Sequence, residues 1–392
     1  MRGNLRWSEH STNNLYYASS SAPKVSQQER KFQIKSNAMR FQQPSFNHDY
    51  KCMKGGSTYQ ECDKKYVVKA VMKSSFESEP NALNPKKTSD SIKNFLDIFY
   101  KFCYPYAMIA IALCTISSSM LPLEKLSDIS PSIFIGALQA LVPQFLITIY
   151  VSAVNQIFDF EIDKINKPYL PLASGQLSFT TVVIIATSCL ILSFLLSWVV
   201  GSWPLTWNVI LSTSIWNVYS INAPLLRWKR HPVLAAICTI SVWAFVLPIT
   251  FFLHMQTFVL KRPVVFPRSL VFYVLFMSFY SMGMALSKDI PDVEGDKINE
   301  IDTFSIRLGQ KQVFWICVFL FEMAFGMALL GAVSSSFFWI KIVTGLGNIV
   351  LASILWHQAK SIDFNNKAST GFFYMLIWKL LYPAYFLLAL IR

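Results

Sequence analysis

Residues 132–154 read SIFIGALQALVPQFLITIYVSAV and run directly into Asn155-Gln-Ile-Phe-Asp159-Phe-Glu-Ile-Asp163. The first part is an apolar run that is long enough, as a helix, to cross about 30 Å of hydrocarbon. The second part spaces Asn155, Asp159 and Asp163 four residues apart, so a continued helix carries all three on one face. The sequence therefore predicts a membrane span that ends in a stripe of oxygen-bearing side chains, here called the first acidic stripe.

A second acidic segment lies far downstream and reads Lys288-Asp-Ile-Pro-Asp-Val-Glu-Gly-Asp296. Its aspartates, Asp289, Asp292 and Asp296, stand at i, i+3 and i+7 and form the second acidic stripe. Of the fourteen acids that follow residue 90, seven fall in these two nine-residue segments. Such clustering beside apolar runs indicates a site, because each acid costs on the order of 3 kcal/mol at the centre of a bilayer. Glu161 and Glu294 lie off the stripes and are expected to be solvated.

The composition predicts an all-α membrane protein. The chain has 392 residues, of which 53% are hydrophobic and 15% are charged, whereas soluble domains carry roughly 25% charged residues. The net charge of +13 comes without the basic blocks and interleaved aromatics of nucleic-acid binders, so no nucleic-acid partner is expected. Nine spans are predicted, at residues 104–120, 132–154, 179–201, 204–221, 233–254, 268–287, 313–333, 337–357 and 371–391.

Residues 1–90 contain no apolar run of membrane-spanning length. The first 48 residues hold seven Lys or Arg against two acids, which matches the basic, Ser-rich, acid-poor composition of organelle transit peptides. A disordered cytosolic tail is the alternative. The predicted organisation is a transit peptide and disordered leader at 1–90, followed by a transmembrane domain at 91–392.

Span counting predicts that the two stripes meet. The first follows span two and the second follows span six, so four crossings separate them and both emerge on one side of the membrane. Lys and Arg are concentrated on that side, which sets its orientation toward the matrix, stroma or cytosol. The loop at 222–231 joins the stripes there and carries Arg227, Lys229 and Arg230.

Two carboxylate stripes across a cavity offer hard oxygen ligands to Mg²⁺, which usually reaches proteins through carboxylates shared with substrate phosphates. We therefore expect a metal-dependent membrane enzyme that acts on a prenyl diphosphate. Lys and Arg at the rim are expected to bind the departing diphosphate, and aromatic faces to stabilise an allyl cation. The predicted metal ligands are Asn155, Asp159, Asp163, Asp289, Asp292 and Asp296, of which the five aspartates are also the predicted catalytic residues. The rim candidates are Arg227, Lys229 and Lys288, and the aromatic candidates are Phe158, Trp216, Tyr219, Phe279 and Tyr280.

Four motifs resemble the UbiA superfamily of intramembrane prenyltransferases, in its plant branch of homogentisate, flavonoid and coumarin prenyltransferases. The motifs are the first acidic segment, then NKPYLPLASG at 166–175, then YSINAPLLRWK at 219–229, and the second acidic segment with Arg307-Leu-Gly309. The resemblance implies a nine-helix bundle around a central cavity, with the two stripes as the Mg²⁺-diphosphate motifs. It also implies a plastid membrane location behind a transit peptide, with the active-site loops on the stromal side. The positions that it implies lie beside the diphosphate are Tyr219, Ser220, Arg227 and Lys229.

The chain departs from the family pattern at two positions. Tyr104-Pro105 stands where the family often has Arg-Pro, and Glu300 stands near a common glycine. Both departures favour an enzyme of specialised metabolism over the tocopherol or plastoquinone step. The leading prediction is transfer of dimethylallyl to an aromatic carbon of a flavonoid, coumarin or similar phenol. A homogentisate phytyl- or solanesyltransferase remains the alternative, and an ion-coupled secondary transporter is the alternative from another class.

Overall fold

The computed structural model describes residues 85–298 and 301–391. The predicted leader therefore lies almost wholly outside the described residues, and so does Glu300. The described part is predominantly helical, as the sequence predicts. The helices are α1 Pro85–Phe102, α2 Pro105–Met120, α3 Pro131–Phe158, α4 Phe160–Asn166, α5 Phe179–Val200, α6 Trp203–Ser220, α7 Pro232–Val259, α8 Arg268–Ser287, α9 Val293–Ile298, α10 Phe304–Arg307, α11 Gln310–Ser334, α12 Phe338–Ala359 and α13 Lys367–Leu390.

Local sequence signals account for many of the helix ends. Proline occupies the first turn of α2, α3, α6 and α7, where its missing N–H is not needed. The side chain of Ser178 accepts a hydrogen bond from the Thr181 amide and caps α5, which ends at Gly201 with φ of 71°. Glycine favours this left-handed conformation, so the chain reverses there and starts α6 at once.

All nine predicted spans fall on helices, but nine membrane crossings are not confirmed. Within residues 85–298 and 301–391, seven helices are long and apolar enough to cross a membrane, or eight if the bent pair of α1 and α2 forms one span. The helix at the fourth predicted span, α6, is not among the seven. Its apolar content is diluted by Asn208, Asn217 and several serines. The chain is therefore an all-helical membrane protein with at least seven candidate spans.

The main hydrophobic core lies between α8 and α11 and extends to α2, α7 and α13. A Cβ atom at Gly283 would lie 2.6 Å from the ring of Phe321, so this glycine lets α8 and α11 pack closely. Tyr280 is 1% exposed, packs against Phe321 in a tilted arrangement with 4.8 Å between ring centroids, and donates a hydrogen bond to the Ile377 carbonyl at 2.5 Å. Tyr280 is therefore a packing residue of the core.

The helix α7 contains two π-helical stretches, Ser241–Val246 and His254–Val259. A π-helical turn holds an extra residue and changes the direction in which the following side chains point. Val242 and Trp243 in the first stretch line the large cavity described below. The first of the two π-helical stretches thus lies where α7 passes the cavity.

Candidate active site

A cavity of about 560 Å³ lies among α2, α3, α4, α6, α7, α8 and α13. Every predicted metal ligand lines it, although the two stripes come from segments more than a hundred residues apart. Apolar and aromatic side chains form most of the rest of its wall. The oxygen-bearing residues of the two stripes in the lining are Asn155, Asp159, Asp163, Asp289, Asp292 and Asp296.

The first acidic stripe keeps helical spacing across the junction between α3 and α4. The amide of Asp159 donates to the Asn155 carbonyl at 2.9 Å, and the amide of Asp163 donates to the Asp159 carbonyl at 2.8 Å. The predicted alignment of three side chains on one face is therefore confirmed. The hydroxyl of Ser220 donates to Asn155 Oδ1 at 3.3 Å and attaches the stripe to the end of α6.

The second acidic stripe is carried by a turn and a short helix. Lys288 ends α8, Asp289 follows it, and the amide of Asp296 donates to the Asp292 carbonyl at 3.0 Å as α9 begins. The helix α9 packs against α4, and Asn166 Nδ2 lies 3.5 Å from Asp296 Oδ1. This contact brings the two acidic segments together.

Gly295 makes the close approach of the two segments possible. A Cβ atom at this position would overlap the amide group of Asn166, with 2.5 Å to its Cγ. Asn166 is buried and begins the NKP sequence that follows the first stripe. A residue with a side chain at position 295 would therefore push the second stripe away from the first.

Basic side chains pair with the carboxylates of both stripes. Lys229 forms an ion pair with Asp159, and both are buried. Lys167 Nζ lies 2.8 Å from Asp292 Oδ2, and Lys288 Nζ lies 2.5 Å from Asp289 Oδ1. Each carboxylate in these pairs is thus held by an ammonium group in a cavity with mostly apolar walls.

Arg227 approaches the same carboxylate as Lys229. Its guanidinium lies 3.6 Å from Asp159 Oδ1 and donates to the Phe158 carbonyl at 3.3 Å. The backbone of Arg227 is left-handed, with φ of 61°, a conformation that non-glycine residues adopt uncommonly. Burial lowers the pKa of Lys229, while Asp159 raises it and so opposes this effect.

Of the five stripe aspartates, Asp163 and Asp296 form no ion pair with the lysines and arginines that the structure describes. Burial raises the pKa of each to about 7, and nearby carboxylates add to the rise. For Asp163 these neighbours are Asp159 and Asp292, and for Asp296 they are Asp289 and Asp292. Carboxylates of the two stripes are therefore close enough to repel each other.

The side chains present fit a bound Mg²⁺ ion. The donors are carboxylate and amide oxygens, the ligands that this hard cation prefers. A dication would also neutralise the repulsion that raises the pKa of Asp163 and Asp296. Within the described residues, no three carboxylates are already gathered as a complete metal cluster.

The raised pKa values predict how stability depends on pH. Folded Asp163 and Asp296 bind protons more tightly than the unfolded chain, so their stabilising contribution is present below about pH 4 and is lost as the pH rises through about 7. We expect the melting temperature in chelator to fall by about 5 °C between pH 6 and pH 8. Added Mg²⁺ is expected to raise the melting temperature more at pH 8 than at pH 6. Thermal unfolding of the detergent-solubilised protein measures both effects.

The control for this prediction is Asp163→Asn combined with Asp296→Asn. This variant cannot titrate at either position, so its melting temperature in chelator should change little over the same interval. An equal loss of stability in the wild type and the variant would show that other groups cause the pH dependence.

Some of the aromatic and rim candidates line the cavity and others do not. Trp216, Tyr219, Lys229 and Lys288 line it, and Lys288 Nζ lies 5.8 Å above the ring of Tyr219. Ser220 and Arg227 stand behind the lining and contact Asn155 and Asp159, respectively. The candidates outside the lining are Phe158, which packs in a separate cluster, and Phe279 and Tyr280, which belong to the main core.

Phe158, Phe279 and Tyr280 therefore do not occupy the cation-stabilising positions predicted for them. Phe158 is the last residue of α3 and contributes its carbonyl to Arg227. Residues 279 and 280 lie five and four positions before Met284, the first residue of α8 in the cavity lining. Spacing along the sequence could not separate the cavity face of α8 from its core face, because both faces are apolar.

The sequence reasoning missed Lys167 and Tyr104 as cavity residues. Lys167 follows Asn166 directly and pairs with Asp292, so its position in the NKP sequence was an available signal. Tyr104 adopts the left-handed φ of 49° before Pro105 and lines the cavity. The departure from Arg-Pro at this position therefore places a phenol where the resemblance implies a cation.

A group of four aromatic rings lines the cavity and was also not predicted. Tyr106 packs against Trp378 with 5.0 Å between ring centroids, and Trp243 packs against Trp378 at 5.5 Å. Tyr374 completes the group at 6.3 Å from Tyr106. These residues come from α2, α7 and α13, and single aromatics within apolar spans carry no sequence signal that would group them.

A helical membrane protein with two facing carboxylate motifs in one cavity is the arrangement of an intramembrane prenyl-transferring enzyme. The profile of the UbiA prenyltransferase family matches residues 111–380. The chain belongs to the UbiA prenyltransferase family, and it is a prenyltransferase.

Two relatives and one solved structure refine this comparison. The chain is 61% identical over 390 residues to glycinol 4-dimethylallyltransferase of Glycine max, covering 100% of this chain and 95% of the relative. It is 47% identical over 388 residues to chloroplastic naringenin 8-dimethylallyltransferase 2 of Sophora flavescens, covering 99% and 95%. The structure of a UbiA homologue from Archaeoglobus fulgidus, bound to GPP and Mg²⁺, has a TM-score of 0.51 and 14% identity, covering 73% of this chain and 99% of that chain. This likeness supports the fold.

Proposed function

We propose that the protein transfers a dimethylallyl group from its diphosphate to an aromatic carbon of a phenolic acceptor such as a flavonoid or coumarin. The observation that carries the proposal is the joining of both acidic stripes, with their lysines, in one cavity whose remaining wall is mostly apolar. The names of the two relatives supply the donor and the class of acceptor. Family membership also favours an enzyme over a transporter.

The residues that would hold Mg²⁺ are the two acidic stripes. Bound there with the donor, the metal supplies Lewis-acid stabilisation of the leaving diphosphate. Carboxylates from both sides of the cavity would hold the metal and, through it, the diphosphate, because each stripe is anchored to a different helix. The Gly295–Asn166 contact sets the separation of the two stripes.

Lys167, Lys229 and Lys288 are the residues positioned to bind the diphosphate oxygens. Each lies in the cavity lining and now pairs with a carboxylate. Carboxylates raise the pKa of Lys167 and of Lys288 well above its usual value, against the lowering effect of burial. Both side chains therefore remain cationic and can form charge-assisted hydrogen bonds to the leaving group.

The apolar part of the cavity would receive the isoprenoid and exclude water from the reaction. Once the C–O bond of the donor breaks, the allyl cation must be captured by a ring carbon of the acceptor before water reaches it. Trp216 and Tyr219 lie near the carboxylates, with 5.2 Å between their ring centroids. Their ring faces can stabilise the cation by about 0.5 to 2 kcal/mol each. Loss of the ring proton then restores the aromatic product.

We also propose the cellular location of the protein and its membrane topology. A chloroplast membrane is supported by the name of the Sophora relative and by the seven or eight candidate spans. We propose that α2 and α6 complete a nine-span bundle, because both lie beside helices that qualify as spans. The cavity mouth would then face the stroma, on the side where the basic loops are concentrated.

The experiment that tests the function is an assay of membranes that contain the full chain. Labelled dimethylallyl diphosphate and Mg²⁺ are incubated with a panel of phenols that includes flavonoids, coumarins and homogentisate, and phytyl diphosphate is tested in parallel. We expect a C-prenylated flavonoid or coumarin product without any ion gradient. Product formed only from phytyl diphosphate and homogentisate would support the alternative enzyme, and no product from any pair would contradict both.

Removal of residues 1–84 is expected to separate targeting from catalysis. The described helices begin at Pro85, so the truncated chain retains the whole cavity and should keep its activity in isolated membranes. Import into isolated chloroplasts should be lost, because the basic, Ser-rich segment is absent. Import at the wild-type level would show that the leader has another role.

A further inference from the structure

Three polar residues of α3 form a ladder along the cavity, although they lie within the apolar stretch of that helix. Gln144, Thr148 and Ser152 are spaced four residues apart and all line the cavity. Their exposed fractions are 3%, 9% and 4%. Gln144 precedes Asp159 by fifteen positions, so it lies about 22 Å further into the membrane along the helix.

The amide of Gln144 is held in one orientation. Asn208 Nδ2 on α6 donates to Gln144 Oε1 at 2.7 Å, and Ser212 Oγ donates to Asn208 Oδ1 at 3.4 Å. This chain of hydrogen bonds occupies the oxygen of Gln144, so Nε2 is the atom left for the cavity. Among the residues that the structure describes, none accepts a hydrogen bond from it. Nε2 is accessible from the cavity and is not sealed inside the protein, so an acceptor atom of a ligand can be its partner.

Thr148 provides the complementary group one turn away. Its hydroxyl donates to the Gln144 carbonyl at 2.8 Å, so the lone pairs of Oγ1 remain available as acceptors. Gln144 therefore offers a donor and Thr148 an acceptor on neighbouring turns of α3, about 6 Å apart along the helix axis. A hydroxyl group, which both donates and accepts, matches this pair, whereas a hydrocarbon chain matches neither residue.

We propose that Gln144 and Thr148 bind an oxygen substituent at the end of the phenolic acceptor that is remote from the prenylated ring. The inference rests on the proposed function, because the reacting carbon must lie beside the donor at the carboxylates. About four helical turns separate Asp159 from Gln144. A phenol of two or more linked rings can extend from the donor toward Gln144, whereas a one-ring phenol cannot. The pair therefore selects for elongated polyphenols that carry an oxygen at the far end.

The test compares two acceptors with one donor in membranes that contain the full chain. The acceptors are a two-ring polyphenol that the wild type prenylates, with a hydroxyl on the remote ring, and the analogue without that hydroxyl. Dimethylallyl diphosphate and Mg²⁺ are constant. In the wild type we expect kcat/KM to favour the hydroxylated acceptor by at least about tenfold, because the analogue leaves buried polar groups unpaired.

Gln144→Met keeps the length of the side chain and removes the amide. This variant is expected to abolish the preference by raising KM for the hydroxylated acceptor alone, with kcat nearly unchanged. Thr148→Val, which keeps the shape of threonine, should reduce the same preference. Ser193→Ala is the matched control, since Ser193 is fully buried beside α3, donates to the Pro143 carbonyl at 2.9 Å and does not line the cavity.

Each outcome of this test decides the inference. Loss of the preference in either variant with retention in Ser193→Ala supports it. An unchanged preference in both variants overturns it, and so does a wild type that prenylates both acceptors equally well. If Gln144→Met does not accumulate as a folded protein, the result with Thr148→Val decides. A wild type that prenylates no phenol contradicts the proposed function itself, which is a separate and recognisable failure.

Discussion

Asp159→Asn and Asp292→Asn are each expected to lower the rate of prenyl transfer by at least about a thousandfold. Each substitution keeps the shape of the side chain and removes one negative charge from the site proposed for Mg²⁺. Asp159 also compensates Lys229 and Arg227, and removing one partner of a buried pair costs about 3 kcal/mol or more. Asp159→Asn should therefore also lower stability, whereas Asp292→Asn should do so less, because its partner Lys167 is partly exposed.

The measurement is the rate of product formation in membranes at matched expression levels. Glu161→Gln and Glu294→Gln are the matched controls, because each removes a carboxylate from the same two segments at an exposed position. Neither glutamate lines the cavity, so both control variants should retain activity within about twofold of the wild type. Wild-type rates from Asp159→Asn or Asp292→Asn would remove these aspartates from the proposed metal site.

Gly295→Ala is expected to lower activity by at least about a hundredfold, because small displacements of positioning groups have effects of this size. The added Cβ atom would overlap the amide of Asn166, which is buried and contacts Asp296. To relieve the overlap, either the Asn166 side chain must rotate or α9 must move away from α4, and both changes break the contact between Asn166 and Asp296 that joins the two stripes. The loss should appear mainly in kcat and in the Mg²⁺ concentration required for half-maximal activity.

Gly326→Ala is the matched control for this prediction. Gly326 lies within α11, and a Cβ atom there would meet no atom within 4 Å. Since alanine is the better helix former by about 1 kcal/mol, this variant should be as active as the wild type and no less stable. Full activity of Gly295→Ala would mean that the distance between the two stripes is not critical.

The first acidic stripe could be predicted because its information is local. Four-residue spacing at the end of an apolar helix fixes the shared face of Asn155, Asp159 and Asp163, and hydrogen bonds across the junction of α3 and α4 preserve that face. The meeting of both stripes in one cavity was predicted by counting four spans between them, one of which is α6. These two arguments needed only periodicity and length.

Other parts of the site depend on packing that periodicity does not describe. Tyr280 and Trp216 are both aromatics in apolar helices, yet Tyr280 packs in the core and Trp216 lines the cavity. The difference arises from the rotation of α8 and α6 against their neighbours. The pairing of Lys167 with Asp292 could not be predicted either, because it requires α4 and α9 to meet.

The number of membrane spans could not be read from hydropathy alone. The helix α6 exists where a span was predicted, but its polar residues serve the interior of the protein. Asn208 binds Gln144, and Asn217 accepts a hydrogen bond from Tyr150 at 2.6 Å. Hydropathy measures how well a helix suits lipid, so it underrates a helix whose polar groups are satisfied by other helices.

The pairing of lysines with the acidic stripes makes the binding of metal and donor interdependent. Three lysines of the cavity lining, Lys167, Lys229 and Lys288, already pair with aspartates, so before any metal binds these ammonium groups are engaged with carboxylates. A dication held by the same carboxylates would release the ammonium groups for the phosphate oxygens. By thermodynamic linkage, Mg²⁺ and the diphosphate must then raise each other's affinity by the same factor. The dissociation constant of either one is a property of the pair.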